Sequence, residues 1–208
     1  MKKINTALTV VTAALLSLSS YAGMSKKDLD KKISSWSPES KEATDFMVKK
    51  YGLPTGVTDT MLVWSDSKPF KRSIVYKEAI THNFPMEHKD VLEQFINYKA
   101  PSSEKVSKIW EFDGSVVLNK TGGEISARCD KEAANLLALN LTNDIVNGKR
   151  TVEEARIEYG KQVLAMKDGS PQEYTKKLVF SPADSSAGDP DKSIMDKVKK
   201  MQAQEADE

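Results

Sequence analysis

The sequence predicts an α+β protein, with an antiparallel sheet of about five strands, helices packed on one face of the sheet, and two long C-terminal helices. Three observations support this fold class. Strand-like segments follow one another without a long helix between each pair, which disfavours a parallel sheet. The pair Gly122-Gly123 separates two of these segments and is typical of a hairpin turn. Two segments beyond residue 130 carry apolar residues at helical spacing.

The first helix is predicted from Ser37 to Gly52. Ser37 can cap the helix, Pro38 suits its first position, and Gly52 can adopt the left-handed conformation that ends it. Pro54 then prevents its continuation. The apolar stripe of this helix consists of Ala43, Phe46, Met47 and Tyr51.

The sheet is predicted from segments rich in β-branched and aromatic residues. Turn chemistry, such as Asp66-Ser67-Lys68-Pro69, separates these segments. The predicted strands cover residues 57–64, 70–79, 91–98, 115–118 and 124–128. A short amphipathic helix is expected around Val106 to Trp110, between the third and fourth strands.

The two C-terminal helices have their own start and stop signals. Asp130 is placed to cap the first of them, and Gly148 to end it. Thr151 and Glu154 have the spacing of a capping box, in which each side chain satisfies a backbone donor near the other residue. The sequence therefore predicts a second helix directly after Thr151.

The chain divides into four parts. Met1-Lys2-Lys3, the uncharged stretch 6–20 and the small residues at Ser20 and Ala22 are typical of a secretory signal peptide cleaved after Ala22. The stretch is shorter than the roughly 20 residues of a spanning helix, so no transmembrane segment is expected after cleavage. We predict a signal peptide at 1–22, a polar linker at 23–36, an α+β domain at 37–170, and a low-complexity, largely disordered tail at 171–208. The expected location is periplasmic or secreted.

Composition excludes several classes of protein. A single cysteine cannot form an internal disulfide framework or a cysteine-rich zinc module. The formal net charge of +1 is not that of a nucleic-acid binder, so no nucleic-acid partner is expected.

Two resemblances bear on the class of protein. Segments such as 82–85, 112–116 and 126–130 resemble blocks of a family of exported bacterial proteins of unassigned function, over roughly residues 36–167. The segment 38–78, with Tyr51-Gly52-Leu53-Pro54 after its helix, is similar to the start of outer-membrane assembly lipoproteins of the SmpA/OmlA type. The second resemblance implies a small scaffold with helices packed on a short antiparallel sheet.

Both histidines of the chain lie in the segment 82–88. A loop bent at Pro85 could bring His82 and His88 together, and imidazole is a common metal ligand. Met86 adds a sulfur that suits copper. Two or three ligands do not complete a zinc site, and the nearest extra donors are Glu87, Asp90 and Cys129. The alternative is a connecting loop whose histidines form ordinary hydrogen bonds.

Cys129 is the second candidate. A helix capped by Asp130, together with Arg128, would lower the pKa of its thiol and favour the reactive thiolate. The alternative is a buried, inert cysteine. Arg128, Asp130 and Asn83 are further candidate binding residues, because they flank Cys129 and His82.

These features favour an exported bacterial cell-envelope protein that acts as a non-enzymatic binding or interaction module, with an envelope protein or a small ligand as its partner. The sequence predicts no required cofactor. One alternative is a metal-binding protein that holds a copper or zinc ion with His82, Met86 and His88. Another is a thiol-dependent enzyme at Cys129.

Overall fold

The computed structural model describes residues 24–188 and 191–206. The elements, in chain order, are α1 (Lys26–Lys32), α2 (Pro38–Tyr51), β1 (Gly56–Val57), β2 (Met61–Trp64), β3 (Arg72–His82), β4 (His88–Asn97), α3 (Ser103–Phe112), β5 (Val116–Asn119), β6 (Glu124–Cys129), α4 (Glu132–Val146), α5 (Val152–Lys167) and α6 (Met195–Ala206), with 3-10 turns at Glu173–Thr175 and Ser185–Ala187. The predicted α+β class is confirmed.

The six strands form one antiparallel sheet in the order β1-β2-β3-β4-β6-β5. The sheet has one strand more than predicted because the segment 57–64 is itself a tight hairpin. The hydroxyl of Thr58 accepts hydrogen bonds from the backbone N–H groups of Thr60 (3.2 Å) and Met61 (2.8 Å). This local turn competes with a continuous strand and divides the segment into β1 and β2.

The helices pack on the face of the sheet that Leu92 and Ile96 line, and both of these residues are fully buried. Glu93 and Phe95 alternate with them and point to the opposite, partly exposed face. Helix α4 lies against β4 and β6 and is covered by α3 and α5. Because it is enclosed in this way, α4 is buried on nearly all sides rather than along one stripe.

The segment predicted as a polar linker, 23–36, contains α1. Ser25 and Asp28 form a capping box at its start. Its charged residues cover the outer surface, but Leu29, Ile33 and Trp36 are buried in the cluster beneath α2. The structure therefore corrects the linker prediction: three apolar side chains are enough to dock a segment that is otherwise charged.

The segment predicted as a disordered tail, 171–208, begins with a strap, defined here as residues 173–183, that packs on α4. The Asn140 amide donates to the carbonyls of Tyr174 (2.9 Å) and Lys177 (2.8 Å) and accepts from the N–H of Val179 (2.9 Å). Phe180 stacks edge-on against Tyr98. The structure thus corrects this prediction for the strap, while α6 carries mostly exposed side chains.

The predicted signal peptide, residues 1–22, lies outside the described residues. Across 24–188 and 191–206, no helix has the length and apolar character needed to cross a bilayer.

Candidate metal centre

The site lies at the turn end of the β3–β4 hairpin. His82 is the last residue of β3, His88 is the first of β4, and the two face each other directly in the strand register. Directly opposed residues of an antiparallel pair share a face of the sheet. Asp90 is two residues beyond His88 and so points to that same face. The hairpin therefore brings three possible metal ligands to one place.

The three side chains are in close contact. Asp90 Oδ2 lies 3.3 Å from His82 Nδ1, and Asp90 Oδ1 lies 3.0 Å from His88 Nε2. The two imidazole rings are 5.0 Å apart between centroids. One ligand atom from each residue lies within 4.8 Å of the other two, so the group could hold a metal ion.

The remaining ring nitrogens fix the orientation of both imidazoles. His88 Nδ1 lies 2.8 Å from the carbonyl oxygen of Met86, which can only accept, so Nδ1 carries the proton and Nε2 of the neutral ring is free to bind a metal. His82 Nε2 faces the buried carboxylate of Asp113 at 3.7 Å. A carbonyl or carboxylate behind each ring is the usual arrangement around metal-binding histidines.

The pKa values of the three groups reflect their contact. The Asp90 carboxylate raises the pKa of His82 above its ordinary value, against a smaller opposing effect of burial. Burial lowers the pKa of His88, but Asp90 and the Met86 carbonyl outweigh it, so the pKa is raised overall. Burial raises the pKa of Asp90, and the two imidazoles more than reverse this and hold it below its usual value. Asp90 is therefore a carboxylate at neutral pH.

The cluster does not satisfy its own polar atoms. His82 Nδ1 and Asp90 Oδ1 are buried and have no hydrogen bond of normal geometry, although both have ion-pair contacts. Asp90 is only 4% exposed, so water does not readily replace the missing partner. A cation bound between the three residues would satisfy both atoms at once.

Cys129 closes one side of the cluster. It is the last residue of β6, is 6% exposed, and has its Sγ 3.2 Å from His88 Nε2 and 3.5 Å from Asp130 Oδ1. Burial, followed by the negative charges of Asp130 and Asp90, raises the pKa of this thiol well above its ordinary value. The thiol is therefore protonated at neutral pH, which agrees with the alternative of a buried cysteine and not with the lowered pKa that a capping Asp130 would give.

The physical reasons for that difference are visible around Cys129. The residue at the N-terminal cap position of α4 is Lys131, not Asp130, and no side chain caps this helix. The guanidinium of Arg128 stacks on the ring of Tyr76 at 4.0 Å and donates to the carbonyl of Glu78. Arg128 is therefore directed away from the sulfur, and burial outweighs the backbone N–H of Asp130, which lowers the pKa of the thiol.

A cavity of about 410 Å³ lies beside this cluster. His88, Cys129 and Asp130 line one part of it, and α5 supplies an apolar wall that includes Tyr159 and Val163. This volume is within the range of small-molecule sites. The cavity gives a ligand access to the side of the cluster that Cys129 occupies.

The side chains of the other predicted site residues do not join the three-residue cluster. The Sδ of Met86 contacts the ammonium of Lys167 at 3.0 Å, so the structure does not add this sulfur to the imidazole pair. Asn83 is exposed in the turn after β3. Asp130 pairs with Lys131 at 2.8 Å, and Arg128 lies on Tyr76. The three proposed binding residues therefore do not form one site.

Asp113 is the residue near the site that the sequence did not indicate. It follows α3, and its carboxylate accepts from the backbone N–H and the hydroxyl of Ser115, as expected for a turn residue. Nothing local distinguishes it, because its approach to His82 depends on how α3 packs against the hairpin.

Comparisons of the chain with family models, with curated protein sequences and with solved structures find no match. The two sequence resemblances therefore stay predictions, and the function has to be inferred from the geometry of the site.

Proposed function

We propose that this protein is a non-enzymatic binding protein whose ligand is a divalent transition-metal ion held by His82, His88 and Asp90. One observation carries the proposal: the cross-strand pair and the adjacent carboxylate converge around a buried carboxylate oxygen that has no well-aligned partner. Two imidazoles and one carboxylate form a common ligand set for zinc.

The donor atoms suit Zn²⁺ and Cu²⁺. Imidazole nitrogen and carboxylate oxygen suit both ions. Cu⁺ prefers thioether and thiolate sulfur, and the sulfur of Met86 lies against an ammonium group instead. Loss of the Met86 sulfur from the predicted ligand set therefore shifts the preference from monovalent copper to a divalent ion.

The proposed setting is the bacterial cell envelope. The predicted signal peptide at 1–22 supports export to the periplasm or beyond. A metal-binding protein there would bind an ion in a compartment that is often oxidising.

The test is isothermal titration of the metal-free protein with Zn²⁺ and with Cu²⁺, followed by elemental analysis of the purified protein. Asp90→Asn and His88→Ala should each weaken binding by at least about tenfold, the smallest usual cost of changing a group around a bound metal. The matched control is Glu87→Gln in the same hairpin, because Glu87 is exposed and outside the cluster. Equal affinities for Asp90→Asn and Glu87→Gln, or no stoichiometric binding of either ion, would refute the proposal.

A thiol-dependent enzyme at Cys129 is the second candidate. The observation that favours it is the contact of 3.2 Å between Cys129 Sγ and His88 Nε2 beside a cavity, since Cys-His pairs serve as nucleophile and base. The raised pKa of the thiol opposes it, because a thiolate is needed for attack.

Alkylation by iodoacetamide between pH 6 and pH 9 separates the two candidates. We expect the folded, metal-free protein to react far more slowly than the urea-unfolded chain throughout this range. Rapid alkylation of the folded protein below pH 7 would instead support the enzyme.

A further inference from the structure

Cys129 is a strong metal donor beside the cluster, and the proposed function leaves it unused. It lies opposite Leu92 in the register of β6 and β4, and Asp90 is two residues from Leu92 along β4. The thiol therefore approaches the cluster from the neighbouring strand. Its sulfur is 3.2 Å from Nε2 of His88, the nitrogen that the Met86 carbonyl leaves free for metal binding.

We infer that Cys129 supplies the fourth ligand, so that the ion is held by two imidazoles, one carboxylate and one thiolate. This inference rests on the proposed function. Typical bonds of about 2.3 Å to sulfur and about 2.0 Å to nitrogen place such a pair of donor atoms roughly 3.5 Å apart. The observed separation of Sγ and Nε2 is within a few tenths of an ångström of that value.

The buried carboxylate provides a second, independent indication of a bound cation. Asp90 is 4% exposed, its Oδ1 has no aligned hydrogen bond, and this same oxygen lies 3.0 Å from His88 Nε2. Nε2 of His88 thus has a carboxylate oxygen of Asp90 and the thiol sulfur of Cys129 as close neighbours. The sulfur of Cys129 lies outside the group whose ligand atoms are all within 4.8 Å of one another, so its binding to the ion requires a movement of side chains.

Binding at Cys129 is an exchange of a proton for a metal ion, without oxidation or reduction. The S–H bond breaks, its electron pair forms the bond to the metal, and the proton leaves. The nearest oxygen is Asp130 Oδ1, 3.5 Å from the sulfur, and Asp130 lines the cavity that leads to solvent. The route for the proton therefore runs through Asp130 to water.

A thiolate in the ligand set changes what the site can do. A site with four protein ligands has no position for a substrate, which is typical of structural or storage sites. A sulfur bonded to the metal is also no longer free to act as a nucleophile. The ligand set therefore favours a binding protein over the thiol enzyme.

Titration of the purified, metal-free protein with Co²⁺ tests the inference, since Co²⁺ reports its ligands in its absorption spectrum. Visible ligand-field bands report binding at the site, and a near-ultraviolet sulfur-to-cobalt band reports a thiolate ligand. Because Cys129 is the only cysteine in the chain, that band has a single source. We expect both sets of bands at one Co²⁺ per chain, on a species that elutes as a monomer.

The Cys129→Ser variant should lose the near-ultraviolet band, keep weaker visible bands, and bind Co²⁺ at least about tenfold less tightly. Wild-type protein provides a measurement that does not depend on this variant folding: bound Zn²⁺ should protect Cys129 from alkylation in mild urea.

The possible failures are distinct. Visible bands without the near-ultraviolet band in the wild type would overturn the role of Cys129 and leave the three-residue site intact. A near-ultraviolet band that appears only in a dimer at half stoichiometry would also overturn it. No visible bands at all would remove the proposed function together with this inference.

Discussion

Glu124 gives the sharpest test of the electrostatics of the fold. It is 7% exposed at the start of β6, and the Arg72 guanidinium donates hydrogen bonds to both of its carboxylate oxygens, at 2.8 and 2.7 Å. Lys71 adds a third contact at 3.0 Å. Chiefly through Arg72, these cations lower the pKa of Glu124 from 4.5 to about 2, although burial opposes them. Its charged form is therefore stabilised by folding.

The magnitude follows from that pKa difference. A fall in the pKa of Glu124 from 4.5 to about 2 means that its ion pair contributes at most roughly 3 kcal/mol to the free energy of unfolding at neutral pH. The side chains of Arg72 and Lys71 are 31% and 45% exposed, so water screens the pair, and we take about half of the bound, ~1.5 kcal/mol. Because the pKa is lower in the folded state, this stabilisation is complete above pH 4.5 and is lost as the pH falls towards about 2.

Urea unfolding of wild type and Glu124→Gln, repeated from pH 7 to pH 2, measures this contribution. The variant should be less stable by about 1.5 kcal/mol at pH 7, and the gap should close between pH 4.5 and about 2. The control is Glu104→Gln, which breaks an exposed pair with Lys108 on α3 and should change stability little. A gap that stays constant over the whole pH range would refute the reasoning.

Three further predictions concern stability. Asn140→Ala should lower the free energy of unfolding in urea by about 2–4 kcal/mol, because it leaves three backbone groups of the strap without partners. Trypsin should then cut the folded variant faster after Lys177. Unchanged cleavage would contradict the role of Asn140. Leu29→Ala should lower the free energy of unfolding by about 2–5 kcal/mol because the side chain is fully buried. No loss of stability would show that α1 does not pack on the domain. Gly52→Ala should lower stability by about 1–3 kcal/mol through backbone strain alone, since Gly52 has φ +82° and ψ −170°, a region that only glycine adopts readily, and an added Cβ meets no atom within 4 Å. A thermal melt measures this, and an unchanged melting temperature would contradict it.

Local capping signals made parts of the fold predictable. Ser37 caps α2 with Pro38 in the first turn, Gly52 ends it, and Thr151 and Glu154 form the predicted capping box of α5. Each of these signals acts within a few residues, so the sequence alone contains the whole interaction.

Other features depended on contacts between distant segments. Leu29 and Ile33 have the spacing of one helix face, but the surrounding residues of α1 are mostly charged, and so the segment was predicted as a linker. The strap depends on Asn140, which is far from it in the chain.

The candidate site shows the same division. His82 and His88 were predictable as a pair because one hairpin carries both. The approach of Cys129 depends on the order of strands in the sheet, and that of Asp113 on the packing of α3. The raised pKa of the thiol required knowledge of burial, which the neighbours of Cys129 in the sequence do not reveal.

The hairpin origin of the three principal ligands has a consequence for how the protein would load its ion. All three lie within residues 82–90, so a chelate across the strand ends closes only a short loop and sacrifices little chain entropy. These three ligands can come together as soon as β3 and β4 pair, before more distant segments pack on the sheet. A bound ion would therefore hold the ends of β3 and β4 together and stabilise that end of the sheet.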